Sequence, residues 1–343
     1  MILRTALTAF TAATLTLGLS LNASAEEKST EGKKILTVYT YDSFAAEWGA
    51  GPKVEEAFEG VCDCDLKFVA IDSSVGLLSR LKLEGAESPA DVVLGLDTNL
   101  TAEAAATGLF APSNLDQGKL SLPVTWSDSH FVPFDYGYFA FVYDSEKLTT
   151  VPDSLDQLIN DNPDLKIIIQ DPRSATPGLG LMLWIQQVYG EKAADAWKKL
   201  SPKIVTITKG WGEAYGLFLD GEADMVLSYT TSPAYHIIAE EKHQYKAAIF
   251  DEGHYLQVEV AGQLKNASEP ELAQEFLNFI GSEAFQSQIP TGNWMYPVID
   301  LGEKLPGTFN ELARPTKSLL YSPEDVQSHR QIWIDSWLSA VER

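Results

Sequence analysis

From Ile35 onward, nearly continuous apolar runs alternate with stretches whose apolar residues follow the 3.6-residue helical period: "ILTVYTY", "GPKVEEAFEGV", "CDLKFVAI", "SVGLLSRLKLEG" and "ADVVLGL". Runs that are apolar on both faces suit strands covered from both sides, and the periodic stretches suit the helices that cover them. The pattern restricts the chain to α/β architectures with mostly parallel sheets. After the helical "NLTAEAAATGLF" and a polar connection, a second series repeats the alternation. It reads as a helix near 154–160, strand "KIIIQD", helices "LGLMLWIQQVYG" and "EKAADAWKKL", strand "IVTIT", helix "GWGEAYGLFLDG", strand "ADMVLSY" and helix "SPAYHIIAEEK". At 343 residues the chain exceeds what one core usually supports, so two lobes are expected.

Two extended runs bracket the second series, "HFVPFDYGYFAFVYD" and "HYLQVEVAGQLK". If both cross between lobes, the second lobe is an insertion into the first, able to open and close around a ligand at the carboxyl ends of its strands. The expected division is a signal segment over 1–25, a polar leader over 26–34, lobe 1 over 35–134, lobe 2 with hinge strands at its ends over 135–258, and a return to lobe 1 over 259–343. Within the return, "SEPELAQEFLNFIGSEAFQSQIP" has a helical pattern with Ser268 as N-cap and Glu271 three residues on. "SPEDVQSHRQIWIDSWLSAVE" predicts a closing helix capped by Ser322 with Pro323 in its first turn.

Arg4, the apolar "TALTAFTAATLTLGLSL" and the small-residue ending "NASA" form the pattern of a secretory signal cut after Ala25. The apolar core is shorter than the roughly 20 residues of a spanning helix. An exported, soluble product is expected. A net charge of −23 repels phosphate backbones, which argues against nucleic acid and leaves a cationic small ligand open. In an oxidising compartment Cys62 and Cys64, as "CDC", read as a disulfide, although the ring closed across one residue is small; the other reading is two inert thiols. Two thiols alone do not make a zinc site.

The loops that follow strands share aromatic rings, small hydroxyls and glycines near helix starts: "YDSFAAEW", "IDSSVG", "QDPRSATPG", "TKGWGEAYG", "SYTTSPAY" and, on the return, "IPTGNWMYP". Helix starts after "SATPG" and "TTSP" suit an anion such as phosphate. The ring faces of Tyr41, Trp48, Trp211, Tyr235 and Trp294, if they converge, suit a cation or a flat heteroaromatic ring. Asp42, Asp72 or Asp97 could balance a bound positive charge. Ser73 and Ser74 either cap the helix near Val75 or face the ligand. Trp184 and Trp197 lie in helical patterns and are assigned to packing. The five histidines form no HExxH motif, and GxSxG and Walker patterns are absent, so no catalytic residue, cofactor or metal is expected. His236 and His243 are read as surface residues.

"LTVYTYDSFAAEWGAGP", "ADVVLGLD", "FVPFDYGYFAFVYD", "QDPRSATPGLG", "TKGWGEAYGLFL", "LSYTTSPAYH", "EGHYLQVEVA" and "IPTGNWMYPV" together resemble the periplasmic thiamine-binding proteins of bacterial thiamine ABC transporters. The resemblance runs from about residue 35 to the end. It implies a two-lobed type II periplasmic binding fold, capture of thiamine and its mono- and diphosphates in the periplasm, and a monomer that delivers them to a membrane permease and ATPase. It places phosphate-end contacts at Ala175, Thr176, Trp211, Tyr229, Thr230, Thr231 and Ser232, and ring contacts at Tyr41, Trp48, Tyr235 and Trp294. At Ser73 and Ser74 the family pattern has an Asp-Gly pair, so this chain lacks a carboxylate there and Asp72 or Asp42 is expected to replace it. A ferric-ion binder using Tyr229 and Tyr235 is the rival reading, and a secreted enzyme acting on a small phosphorylated substrate a remote one.

Overall fold

The computed structural model describes residues 32–114 and 120–341. The signal segment and its cleavage point, and most of the 26–34 leader, lie outside the described residues. Leu36, Val38 and Tyr39 of the first apolar run are fully buried, as expected of a strand covered on both faces. This strand, β1 (Lys34–Tyr41), runs parallel to β2 (Cys64–Ile71) on one side and to β3 (Val92–Asp97) on the other. The helices Gly51–Cys62 and Ser74–Glu84 supply the connections.

The extended run that follows is the long strand β4 (Val132–Asp144). Beyond it the second series forms β5 (Ile167–Gln170), β6 (Ile204–Thr208) and β7 (Met225–Tyr229), with β5 parallel to both others. The short β8 (Tyr245–Ala247) precedes β9 (His254–Gln263), and β10 (Tyr296–Pro297) and β11 (Ser318–Leu319) are two-residue additions. The path across the sheet is β2-β1-β3-β9-β4-β7-β5-β6. Each series is internally parallel, as the apolar runs predict. The two bracketing strands are not: β9 is antiparallel to β3 and β4, and β4 is antiparallel to β9 and β7. The first half of β4 pairs with β9 and its second half, Phe139–Tyr143, pairs with β7, so one strand belongs to both halves of the sheet.

The return segment departs from its sequence pattern. Instead of one long helix it makes three, Pro270–Ile280, Glu283–Gln286 and Ile289–Gly292. Ser268 does not cap the first. Its N–H and hydroxyl, and the N–H of Glu269, all donate to Oδ1 of buried Asp91, while Oδ2 accepts from the N–H of Thr37. A carboxylate from the connection before β3 thus holds the residues that lead into this helix, which itself has no side-chain cap. Ser322 does cap the closing helix Pro323–Val341, accepting from the N–H of Asp325 at 3.1 Å. Trp184 and Trp197 are core residues, Trp197 meeting Trp337 of the closing helix edge-on.

Two glycines let the helix Thr176–Tyr189 lie close to the sheet. A Cβ on Gly178 would sit 2.3 Å from the Gln170 carbonyl oxygen, and one on Gly180 would enter the Phe139 ring. We expect Gly178→Ala to destabilise the protein by about 1–3 kcal/mol through overpacking against backbone. Urea denaturation checks this; an unchanged midpoint would mean that the helix can back away without loss.

Candidate functional site

A cavity of about 1040 Å³ opens where β1, β2, β5, β6 and β7 end, with Gln257 and Glu259 of β9 in its lining. Tyr41, the last residue of β1, turns its ring against β3, where Gly95 adopts φ +112° at a break in the β3–β9 register. A Cβ there would lie 2.4 Å from that ring, so the glycine makes room for it. The Ser74 hydroxyl donates to the Gly95 carbonyl, and Ser73 caps its helix by accepting from the N–H of Gly76 at 3.2 Å. Ser73 also donates to the Ser174 carbonyl, and Lys209 pairs with Asp72. These contacts join the loops after β2, β5 and β6 around the cavity.

The aromatic lining divides into rim and wall. Trp48 is 60% exposed at the rim and Tyr235 is 37% exposed, its ring 5.2 Å from that of Trp294 in an edge-on contact. Trp294 has φ +57°, unusual for a bulky residue. Trp211 stacks on Tyr215 at 5.1 Å and donates from its indole N–H to the Ser228 hydroxyl, which bonds Ser232 at 2.7 Å. Behind this wall stands His236, which is completely buried and not a surface residue. Its Nε2 meets the Tyr215 hydroxyl at 2.9 Å and its Nδ1 meets Glu240 at 2.7 Å. Burial lowers its pKa, and the Glu240 carboxylate opposes that shift. The surface reading failed because Tyr245 packs on the imidazole with ring centroids 4.0 Å apart and Tyr215 bonds its Nε2 edge.

Three helices begin at this cavity, at Thr176, Trp211 and Pro233. The N-cap residues Ala175 and Gly210 make no side-chain cap, so first-turn N–H groups of those two helices keep donor capacity, and all three helix dipoles add positive potential; in the third helix Pro233 has no N–H, and those of Ala234 and Tyr235 already donate to the Thr231 and Ser232 carbonyls. Ala175, Thr176 and Ser232 reach the lining, whereas Thr230 and Thr231 do not. Thr231 donates to the Met295 sulfur, and the buried Thr230 hydroxyl has no hydrogen-bond partner.

The floor is acidic. Glu259 faces Asp135 of β4 directly across the strands and Asp97 of β3 on its other side; it is 5% exposed and both aspartates are fully buried. Glu259 accepts from the Tyr41 hydroxyl at 2.6 Å and from Gln257 at 2.8 Å, and Gln257 in turn accepts from Tyr229 at 2.9 Å. Asn293 donates to Asp135 at 2.5 Å and to Tyr41 at 2.7 Å. Burial raises the Asp135 carboxyl to about 7 and Asp97 to about 6. Burial, then the charge of Asp135, raises Glu259, and burial with the Glu259 charge lifts the Tyr41 phenol.

The structure thus gathers Tyr41, Asp42, Trp48, Asp72, Ser73, Ser74, Ala175, Thr176, Trp211, Tyr229, Ser232, Tyr235 and Trp294 around one cavity. Of the aspartates named as counter-charge candidates, Asp42 and Asp72 reach the lining and Asp97 does not. Asp42 is exposed, its Oδ1 accepting from the N–H of Ser43 at 2.7 Å, and Asp72 is paired with Lys209. Sequence reasoning missed Glu259, Gln257, Asp135, Asn293 and Tyr215. The signal for the first three was a polar residue inside an apolar strand, in "LQVEVA" and "VPFDYGY". Cys62 and Cys64 are joined in a disulfide at the end of the helix Gly51–Cys62.

Comparison with known proteins follows this geometry closely. Residues 7–287 match the family described as bacterial extracellular solute-binding protein. The thiamine-binding periplasmic protein of Escherichia coli (strain K12) is 57% identical over 311 residues, covering 91% of this chain and 94% of that protein. A solved structure of a periplasmic thiamin binding protein, also 57% identical, superposes with a TM-score of 0.89 over 91% of this chain and 97% of its own. Iron-bound HitA from Pseudomonas aeruginosa superposes at 0.73 with 21% identity over 90% of this chain and 99% of its own, a likeness of fold alone.

The buried carboxyl pair has a stability consequence. A carboxyl whose folded pKa lies above its unfolded value disfavours the folded state increasingly as pH rises from the unfolded value through the folded one, here from about 4 to about 7. Asp135→Asn should therefore stabilise the ligand-free protein by about 1–3 kcal/mol near pH 8, with little gain near pH 4. Urea midpoints at the two pH values check this; equal gains at both would contradict it.

Proposed function

The chain belongs to the bacterial extracellular solute-binding protein family, and we propose that within it the protein captures thiamine and its phosphates in the periplasm for an ABC importer. It is a thiamine-binding solute receptor of the two-lobed type II fold, not an enzyme, and thiamine is its cargo rather than a cofactor. The observation that carries this reading is the composition of one cavity: aromatic faces, two helix starts with uncapped N–H groups and a carboxylate floor. Thiamine phosphate presents the complementary parts, a flat aminopyrimidine, a cationic thiazolium and an anionic tail.

In this reading Tyr41, Trp48, Tyr235 and Trp294 hold the rings, with Trp211 backed by Tyr215. The helix starts at Ala175–Thr176 and Gly210–Trp211, with the Ser232 hydroxyl, receive the phosphate, with Tyr229 between them and the floor. Thr230 and Thr231 contribute by shaping the start of the Pro233 helix. The lobes are 35–134 with 259–343, and 135–258, and they close over the ligand through β4 and β9. Export follows cleavage after Ala25, and the loaded monomer docks on a membrane permease driven by an ATPase. The ferric alternative has less support. Iron needs several oxygen or nitrogen ligands within roughly 2–2.5 Å of one point, and the Tyr229 hydroxyl is already bonded to Gln257.

Calorimetric titration with thiamine, thiamine monophosphate, thiamine diphosphate and ferric citrate tests the proposal. Binding of the thiamine forms is expected; tight iron binding without thiamine binding would overturn it. Trp48→Ala and Trp294→Ala should each weaken thiamine binding by about 1–3 kcal/mol if their rings stack on the cation. Unchanged affinity in both variants would assign the two rings to packing.

A further inference from the structure

Of the carboxylates on the cavity lining, Asp42, Asp72 and Glu213 are exposed, where water and salt screen them, and Asp72 is paired with Lys209, so a cation held deep in the cavity needs another counter-charge. Glu259 is the buried carboxylate that reaches the cavity lining. We infer that Glu259, sharing one proton with Asp135, is the counter-charge for the cationic ring, and that capture of the cation expels this proton to solvent. The inference rests on the thiamine reading and adds to it a residue, a partner and a proton.

Like charges directly opposite on neighbouring strands repel, and burial deepens the cost of ionising both. Asp97, Asp135 and Glu259 nonetheless stand side by side on β3, β4 and β9. The groups facing Glu259 are the Tyr41 phenol from β1, Asp97 from β3, Asp135 from β4, and Gln257 of its own strand; Asn293 approaches from the loop before Trp294. The Tyr229 phenol from β7 reaches it through Gln257. None of these is a cation. Arg330 acts on Asp97 only through space, while Oδ1 of Asp135 and Oδ2 of Asp97 are buried with no hydrogen-bond donor. An oxygen with no donor facing it is where a shared proton can reside.

The register breaks beside the cluster, between Leu94 and Leu96 on β3 and between Pro133 and Asp135 on β4, are irregularities of the kind that re-aim side chains beside functional sites. A permanent cation arriving over Glu259 stabilises the fully ionised pair. The proton leaves from the carboxyl pair and goes to bulk buffer; no covalent bond to the ligand forms. The burial that holds Asp135 near 7 places the exchange close to neutral pH.

The test is calorimetric titration of the exported protein with thiamine at about pH 7 in two buffers of different ionisation enthalpy, with affinities followed from about pH 6 to about pH 8. The inference expects up to about one proton released per thiamine, and a Kd that tightens by up to about tenfold per pH unit on rising through that window. Glu259→Gln should abolish the release and weaken thiamine at least about tenfold. Asp135→Asn should abolish the release and flatten the pH dependence of Kd across that window, because Glu259 is then ionised without a rival. If either variant fails to fold by circular dichroism, the native buffer comparison still decides. Thiamine binding with identical heats in both buffers and no pH dependence overturns this inference alone. No thiamine heat at all overturns the parent reading together with it.

Discussion

The antiparallel pairing of β4 with β9 is the constraint on which the rest of the structure depends. Each parallel series could form a sheet by itself, but among the described residues these two strands join them, β4 by pairing with β9 along one half and with β7 along the other. That junction brings the loops after β1 and β2 to face those after β5, β6 and β7, so that rings and helix starts from distant parts of the chain line one cavity. It also sets Asp135 opposite Glu259, a juxtaposition that costs stability and is tolerated at the floor of that cavity.

The cavity is electrically divided. Helix starts with uncapped N–H groups come from the β5–β7 half, while the carboxylates stand on the shared strands and β3. A ligand with an anionic tail and a cationic ring finds a fitting group for each end, with aromatic faces between. Exposed Glu213 in the first turn of the Trp211 helix tempers the positive side, whereas the Lys209 amine is engaged by Asp72. The backbone donors therefore carry most of the anion-binding capacity.

Much of this was legible in the sequence. Continuous apolar runs set the strands, and the loops after them contained Tyr41, Trp48, Trp211, Tyr235 and Trp294, because in α/β sheets such loops face the ligand side whatever their contents. The antiparallel direction of β4 and β9 was not legible, since an apolar run buried on both faces reads alike in either direction. The pairing of Glu259 with Asp135 depends on register between segments more than a hundred residues apart. Ser268 misled because a local cap pattern ignores Asp91, which arrives from elsewhere in the chain. His236 misled because its cover comes from Tyr215 and Tyr245, outside its own helix.

A crystal structure of the complex with thiamine monophosphate tests the central claim most directly. The account predicts the phosphate against the N–H groups that open the helices at Thr176 and Trp211, beside the Ser232 hydroxyl, with the rings among Tyr41, Trp48, Tyr235 and Trp294 and the thiazolium toward Glu259. A ligand bound in the reverse direction, its phosphate toward Glu259, or bound outside this cavity, would contradict it.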